Sequence, residues 1–224
     1  MDFIFMLTRN DKTIEDCLDV FEEIAPLGIG HIGFKDVGVS PETLRKLMVA
    51  IRKTGAMTYM EVVATSPEAA LNSARIGRDL GIDRLLGGTQ VAETLKILEG
   101  SKTTYYPFPG RPFGHPTKLG GSPAEIEQSA VSFMANGCAG ADLLAYRATE
   151  AAPADLIEAA RRGLGNGLLI VAGSLGSQEQ IKAVAGAGAD AFTIGSAVFD
   201  GSYSPNCGSI RSQLKAVLDD CAIV

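Results

Sequence analysis

Several features that would assign a protein to a specialised class are missing from this 224-residue sequence. No apolar run approaches the ~18 residues that a membrane span requires. The first six residues lack basic charge and a cleavage site, so we predict a strand there rather than a signal peptide. The few cysteines lack the close spacing of a zinc site or disulfide framework, and we expect reduced thiols in a cytoplasmic protein: Cys17, Cys138, Cys207 and Cys221.

Positive charge is also in the minority: the sequence has 20 Lys and Arg residues and 26 Asp and Glu residues, which gives a net charge of −6. Nucleic-acid backbones require basic patches, so the composition argues against a nucleic-acid partner. No glycine fingerprint follows the first apolar run, and we therefore expect no nicotinamide cofactor. Asp36, Glu61 and His115 offer ligand atoms, but no spacing singles them out; we predict neither a metal nor another cofactor.

What the sequence does contain is a regular alternation. Apolar, strand-like runs alternate eight times with helix-like segments, and no linker interrupts them. Ser-Pro pairs at Ser40, Ser66 and Ser122 predict capped helix starts, and residues 210–224 predict a closing helix. The pattern predicts one α/β domain over residues 1–224, a parallel eight-stranded (β/α)8 TIM barrel. The predicted strands are residues 2–8, 31–36, 57–64, 84–88, 103–108, 142–147, 168–172 and 191–195.

Residues 168–201 contain two of these apolar runs, and each run ends in a Gly/Ser turn. Two strands joined by one helix run parallel, so both turns leave the same edge of the sheet side by side. Backbone N–H groups of such turns and of helix N-termini favour an anion. We therefore predict a phosphate site at Gly173, Ser174, Gly195 and Ser196; the alternative is two tight turns without a ligand.

The segment AGSLGSQEQIKAVAGAGADAFTIGSAVFDG, residues 172–201, resembles the last quarter of the phosphate-binding (β/α)8 barrels. This superfamily contains ribulose-phosphate epimerases, sugar-phosphate decarboxylases and isomerases of histidine and tryptophan biosynthesis. Many members have a second glycine at the position of Ser174, whose hydroxyl can still donate to a phosphate. The resemblance implies the barrel and its phosphate turns but does not identify the reaction. The Asp-x-Lys-x-x-Asp run of the sugar-phosphate decarboxylases is absent.

Strand alternation selects two candidate catalytic residues. Ile32 and Phe34 are expected to face the helices, so Lys35 points into the barrel near its carboxyl end. Glu61 is the polar residue of an apolar run on the next strand and should also point inward, close to Lys35. A lysine in a partly dry barrel can serve as base, electrophile or Schiff-base amine. The alternative is a structural ion pair.

Further candidates lie in loops and at strand ends. Arg9 follows the first predicted strand, Asp36 ends the second and Arg147 ends the sixth; we predict substrate-binding roles for all three. Residues 107–121 form a long segment rich in Gly and Pro, which we predict to be a mobile lid carrying His115 over the pocket as acid or base. Solvated surface charges and a surface histidine are the alternatives. Arg84 is the first residue of its predicted strand, at the end away from the active-site loops, and we predict a structural role for it.

Together these features favour an enzyme that acts on a phosphorylated carbohydrate-like metabolite by proton transfer or C–C cleavage next to a carbonyl, as an isomerase, epimerase or lyase. The alternative is a non-catalytic sensor. Residues 4–8 and 172–175 also resemble the glycerol-operon antiterminator proteins, barrels that bind a phosphometabolite and act on RNA, although the acidic charge counts against that. The expected partner is a phosphorylated small molecule, without membrane or nucleic acid. Two-fold association is common in such barrels, which makes a homodimer a candidate assembly.

Overall fold

The computed structural model describes residues 1–64 and 66–223. Its central sheet contains eight parallel strands in the order β6-β7-β8-β1-β2-β3-β4-β5: β1 (Asp2–Met6), β2 (His31–Lys35), β3 (Met57–Val62), β4 (Arg84–Gly87), β5 (Thr104–Tyr106), β6 (Gly140–Leu143), β7 (Leu168–Val171) and β8 (Ala191–Ile194). The edge strands β5 and β6 meet through backbone hydrogen bonds. Ala139 N donates to Tyr105 O at 3.0 Å, and Asp142 N donates to Pro107 O at 3.1 Å. The sheet is therefore a nearly closed barrel, and the predicted fold is confirmed.

Helices cover the outside of the barrel: α1 (Cys17–Ile24), α2 (Pro41–Thr54), α3 (Pro67–Leu80), α4 (Val91–Leu98), α5 (Pro123–Ala135), α6 (Pro153–Leu164), α7 (Gln178–Gly186), α8 (Ser196–Phe199) and α9 (Ile210–Cys221). The predicted starts of α2, α3 and α5 are confirmed, because Ser40, Ser66 and Ser122 each accept a hydrogen bond from a first-turn backbone N–H. Among residues 1–64 and 66–223, no helix is both long and apolar enough to cross a membrane.

Strand alternation divides the buried side chains into two layers, as predicted. Ile32 and Phe34 belong to the larger cluster between the strands and the helices. A smaller cluster fills the inside of the barrel: Ile4, Met6, Tyr59, Leu86, Tyr106, Ile170 and Ala191. Arg84 lies at the beginning of β4, where it donates to the Tyr59 hydroxyl at 2.8 Å and stacks over the Tyr59 ring at 5.3 Å. These contacts support the structural role predicted for it.

The sixth strand is shifted from its predicted position. It was expected at residues 142–147 but lies at Gly140–Leu143, and residues Ala145–Arg147 form a 3₁₀ turn. Gly140 allows the close approach of β7, because a Cβ at this position would lie 1.9 Å from the carbonyl oxygen of Leu168. Two small residues at the start of a strand carry little apolar signal, which explains the misplaced boundary.

Two small hairpins cover the carboxyl end of the barrel. In the first-loop hairpin, Thr8–Arg9 pairs with Lys12–Thr13, and Asn10 and Asp11 adopt left-handed φ values of 53° and 58° in its turn. In the mouth hairpin, Arg111–Phe113 pairs with Lys118–Gly120. The segment predicted to be a mobile lid, residues 107–121, therefore contains regular antiparallel structure. Its mobility remains a prediction.

Candidate active site

A cavity of about 280 Å³ opens at the carboxyl ends of the strands. Its lining includes five charged residues: Asp11, Lys35, Glu61, Arg147 and Asp200. It also includes both Gly/Ser turns, residues 173–176 and 195–197. The structure thus brings the predicted lysine–glutamate pair and the predicted phosphate turns into one space, at the end of the barrel where (β/α)8 enzymes carry their active sites.

Lys35 is the last residue of β2 and only 4% exposed. Its Nζ lies 2.9 Å from Asp11 Oδ1 and 3.2 Å from Glu61 Oε2, and Glu61 is its directly paired neighbour on β3. Burial alone would lower the pKa of Lys35, but Glu61 and Asp11 outweigh burial and raise that pKa. Lys35 is therefore an ammonium ion at neutral pH.

Asp11 joins several parts of this cluster, although sequence reasoning assigned it no role. It is 5% exposed and accepts hydrogen bonds from Lys35 Nζ, from Arg147 Nη1 at 3.0 Å and from the backbone N of Thr117 at 3.1 Å. Burial raises its pKa, but the Lys35 and Arg147 cations lower it more, to a net value of about 2. The sequence feature that could have indicated a role for Asp11 was the turn-forming Asn-Asp pair, which is separated from the first strand by three residues.

Arg147 reaches the cavity from the 3₁₀ turn after β6. Besides binding Asp11, its Nη1 donates to Thr117 O at 3.3 Å, so Asp11 and Arg147 together hold the mouth hairpin against the barrel. Glu150, three residues further along the chain, binds Arg111 instead, at 2.8 Å. The backbone of Gly173 lies against the Arg147 side chain, so a cation lies beside the first Gly/Ser turn.

Three other candidates lie outside the cavity lining. Asp36 accepts hydrogen bonds from the Val63 backbone N at 3.2 Å and from Ser73 Oγ at 2.5 Å, which ties β2 and β3 to α3, and burial raises its pKa. Arg9 is exposed on the first-loop hairpin. His115 is exposed and borders a separate surface groove with Lys12. The roles predicted for these residues stay predictions, and that of His115 requires the mouth hairpin to move.

The two Gly/Ser turns border the cavity with backbone N–H groups that make no hydrogen bond in the described chain. Gly173 and Ser174 adopt left-handed φ values of 79° and 62°, and Gly195 directly precedes α8. Within the part of the chain that the structure describes, no hydrogen bond occupies the backbone N–H groups of Gly173, Ser174, Gly195 or Ser196. Free N–H groups lining a cavity are available to an anion.

We expect Gly195→Ala to destabilise the protein by about 1–3 kcal/mol and to abolish anion binding at the turns. A Cβ at this position would lie 2.8 Å from the carbonyl oxygen of Thr8 and 2.9 Å from that of Met6, so the β8 turn would have to move. Gly186→Ala is the matched control, because nothing lies within 4 Å of its Cβ position. Urea unfolding and calorimetric titration with inorganic phosphate measure both effects. Equal stability of the two variants would contradict the packing argument.

Asp142 is a second buried acid that sequence reasoning left without a role. It lies in the middle of β6, its side chain is 0% exposed, and neither carboxyl oxygen has a hydrogen-bond partner in the described chain. Burial and, after it, the negative charge of Glu61 raise the pKa of Asp142 well above its usual range. The sequence feature that could have indicated a buried acid was a single acidic residue inside a short apolar segment.

The described residues, 1–64 and 66–223, contain no group of three His, Cys, Asp or Glu side chains arranged to hold a metal ion. Asp36 and His115 therefore do not join Glu61 in a ligand set. The chemistry that the site can support with its own groups depends on Lys35, Glu61 and the two Gly/Ser turns.

Comparison with protein-family models and with curated proteins finds no match. Among solved structures, orotidine 5′-phosphate decarboxylase from Pyrococcus horikoshii OT3 is 16% identical with a TM-score of 0.62, covering 97% of this chain and 98% of that one. The native KDPGal structure is 13% identical with a TM-score of 0.65, at 99% and 97% coverage. A variant of FabK from Thermotoga maritima is 15% identical with a TM-score of 0.56. The match covers 78% of this chain and 56% of that FabK chain, so this chain spans little more than half the length of FabK.

Identities this low show the fold alone. Two of these structures match along nearly their whole length, so the likeness covers the entire barrel rather than one part of it. The barrel implied by the resemblance of residues 172–201 is therefore confirmed at the level of the fold: the chain is similar to solved (β/α)8 barrels.

Proposed function

We propose that this chain is an enzyme that binds a phosphorylated carbohydrate-like metabolite and transfers a proton or cleaves a C–C bond next to its carbonyl. One observation carries the proposal: Lys35, Glu61 and both Gly/Ser turns line a single cavity of about 280 Å³. The cavity is close to the lower end of the usual size range of small-molecule sites, which suits a small metabolite.

The phosphate would bind at the turns, where free N–H groups and the nearby Arg147 favour an anion. Binding energy from this remote group would then orient the carbonyl carbon toward Lys35. The Lys35 ammonium is already held by two carboxylates, so it needs no reorganisation to stabilise negative charge that develops on a carbonyl oxygen.

Glu61 is the base in this mechanism. In proton transfer, Glu61 takes the proton from the carbon next to the carbonyl, and the electron pair of that C–H bond forms an enolate beside Lys35. In C–C cleavage, Glu61 takes a hydroxyl proton while the electron pair of the breaking C–C bond forms the enolate. Both routes use the same pair of residues, 3.2 Å apart.

The raised pKa of Lys35 supports an electrostatic role over a Schiff-base role, because a nucleophilic amine must first lose its proton. The convergence of Lys35 and Glu61 on one cavity also supports the enzyme over the sensor, since ligand binding alone gives no reason to bury this pair. Likeness in fold to orotidine 5′-phosphate decarboxylase, which by its name acts on a phosphorylated compound, is consistent with a phosphosugar-type substrate.

A thermal-shift screen tests the proposal with paired ligands, each sugar phosphate beside the same sugar without phosphate. At a ligand concentration 100 times Kd, binding stabilises the fold by about 2.7 kcal/mol, which corresponds to a Tm increase of roughly 5–10 °C at this chain length. We expect such a shift only with phosphorylated compounds, and we expect Gly195→Ala to lose it.

Each compound that binds is then incubated with the protein and followed by proton NMR in deuterated water. Solvent exchange at the carbon next to the carbonyl, or a cleavage product, is the expected result. Binding without any conversion would favour the sensor. If no phosphorylated compound changes the Tm, the proposal is wrong.

A further inference from the structure

The hydrogen-bond donors of Arg147 are only partly used. Its Nη1 lies 3.0 Å from each carboxylate oxygen of Asp11 and 3.3 Å from the carbonyl oxygen of Thr117. Among the residues that the structure describes, no hydrogen bond or ion pair involves Nε or Nη2 of the same guanidinium. Nε–H and one N–H of Nη2 point in the same direction and form a two-pronged edge that fits a carboxylate or a phosphate. This edge of Arg147 is therefore available to a ligand.

The unused edge lies beside the first Gly/Ser turn. A Cβ placed on Gly173 would lie 2.6 Å from Arg147 Nε, so the backbone of the turn and the guanidinium are in contact. Gly173, Ser174 and Arg147 line the same cavity, and the two turn residues have backbone N–H groups without a hydrogen bond in the described chain. An anion on these N–H groups is therefore within reach of Nε and Nη2, while Nη1 stays on Asp11 and Thr117.

Asp11 and the mouth hairpin fix the orientation of the guanidinium. Both oxygens of the buried Asp11 carboxylate are occupied: Oδ1 accepts from Lys35 Nζ and Arg147 Nη1, and Oδ2 accepts from Arg147 Nη1 and the Thr117 backbone N. Thr117 is held a second time, because its carbonyl oxygen also accepts from Arg147. The contacts that dock the hairpin are thus the contacts that orient Arg147. A side chain that is oriented before its ligand arrives loses less freedom when the ligand binds.

We infer that Arg147 binds the phosphate and the mouth hairpin at the same time, with the phosphate at Nε and Nη2 and the hairpin at Nη1, so that each event strengthens the other. Asp11 and Thr117 act on the phosphate through Arg147 and are positioning residues. This role of Arg147 deepens the proposed function: it rests on the phosphate site at the turns, but not on the reaction.

The opposite coupling would arise if the phosphate pulled Nη1 of Arg147 away from Asp11, because the hairpin would then lose its contacts and open. The free donors at Nε and Nη2 favour the cooperative arrangement, since the phosphate can bind there without breaking any contact of Asp11. Coupling between two binding events is reciprocal. Phosphate should therefore suppress opening of the hairpin by the same factor by which hairpin docking tightens phosphate binding.

Amide exchange of the wild type with and without inorganic phosphate decides the sign of this coupling. The Thr117 N–H, which Asp11 accepts, reports opening of the hairpin. We expect its exchange to slow by about fivefold or more at saturating phosphate, the lower end of typical coupling factors. The N–H of Gly165 at the end of α6, which donates to Arg161 O outside the cavity lining, is the control and should not change. Unchanged or faster exchange at Thr117 while phosphate binds would overturn the inference.

Two variants distinguish positioning from the effect of charge alone. Asp11→Asn removes a negative charge from the cavity lining, so charge alone would tighten phosphate binding. The positioning role has the opposite sign: we expect Kd for inorganic phosphate to rise about fivefold or more. Arg147→Lys keeps the charge but lacks the two-pronged edge, and we expect similar weakening. Arg162→Lys, at a surface ion pair with Glu127, is the matched control. An unchanged or lower Kd in Asp11→Asn or Arg147→Lys, measured by calorimetric titration, would overturn the inference.

The outcomes also separate this coupling from the proposed function. Phosphate binding that leaves Thr117 exchange unchanged removes the coupling and leaves the enzyme standing. Slower Thr117 exchange in a protein that converts no phosphorylated compound removes the enzyme and leaves the coupling standing. If the wild type does not bind phosphate, both are wrong. The exchange measurement uses the wild type, so it decides the sign of the coupling even if a variant fails to fold.

Discussion

Lys35→Met is expected to reduce turnover by about 10²–10⁴-fold while phosphate binding at the Gly/Ser turns persists. Methionine preserves the approximate length of the side chain but removes the ammonium, the group that the proposed mechanism uses to stabilise an enolate oxygen. The Gly/Ser turns, which we propose bind phosphate, follow β7 and β8 and do not depend on the Lys35 charge for their geometry. Steady-state kinetics with the identified substrate and calorimetric titration with inorganic phosphate measure the two properties separately.

A stability loss has to be distinguished from this catalytic effect. Removing Lys35 leaves two buried carboxylates without their shared cation, and breaking such a pair costs about 3–5 kcal/mol. Asp11 keeps Arg147 as a partner, so the double variant Lys35→Met/Glu61→Gln removes the charge that is left unpaired and should recover part of the stability without recovering turnover. Borohydride treatment of the wild type with substrate distinguishes a Schiff-base role of Lys35 from an electrostatic one, because only a Schiff base leaves a covalent adduct on Lys35. Normal turnover by Lys35→Met would make the lysine half of a structural ion pair.

Asp11→Asn is expected to destabilise the protein by about 2–3 kcal/mol at pH 7, because the Asp11 pKa is lowered from 3.8 to about 2 in the folded state. The sign follows from the direction of that shift. The ionised carboxylate stabilises the fold above pH 4, and this contribution is lost as the pH falls from about 4 to about 2. The difference in the free energy of unfolding between the wild type and Asp11→Asn should therefore shrink in that pH interval.

Urea unfolding of both proteins between pH 2 and pH 7 measures this difference. Asp219→Asn, at an exposed position on α9, is the control and should follow the wild type throughout. The mouth hairpin should also loosen in Asp11→Asn, seen as faster amide exchange at Thr117, because its N–H loses the carboxylate that accepts it. Unfolding curves that stay parallel across the whole pH interval would show that Asp11 does not hold the cluster together.

The fold could be predicted because its signals are local. Apolar runs, Ser-Pro helix starts and the Gly/Ser turns each occupy a few neighbouring residues, and their order along the chain indicates a barrel. The same local alternation placed Lys35 and Glu61 inside the barrel, since Ile32 and Phe34 occupy the side that faces the helices. The convergence of these two residues with the turns then followed from barrel topology.

The missed residues depend on contacts that no local pattern contains. The partners of Asp11 lie 24, 106 and 136 residues away, at Lys35, Thr117 and Arg147, and only the folded chain brings them together. Asp142 was missed because the predicted strand began two residues late, which placed it at a strand end rather than in the strand interior. Loop conformation likewise decides that His115 borders a different groove from the one that Lys35 lines.

The central claim is that one cavity binds the phosphate at the turns and presents the carbonyl to Lys35. A crystal structure of Lys35→Met/Glu61→Gln with the phosphorylated compound that gives the largest thermal shift tests it most directly, because this variant should bind without turnover. We predict phosphate oxygens about 3 Å from the backbone N–H groups of Ser174 and Ser196, with the carbonyl directed at residue 35. A ligand whose phosphate lies in the groove beside His115, or whose carbonyl points away from residue 35, would contradict the account.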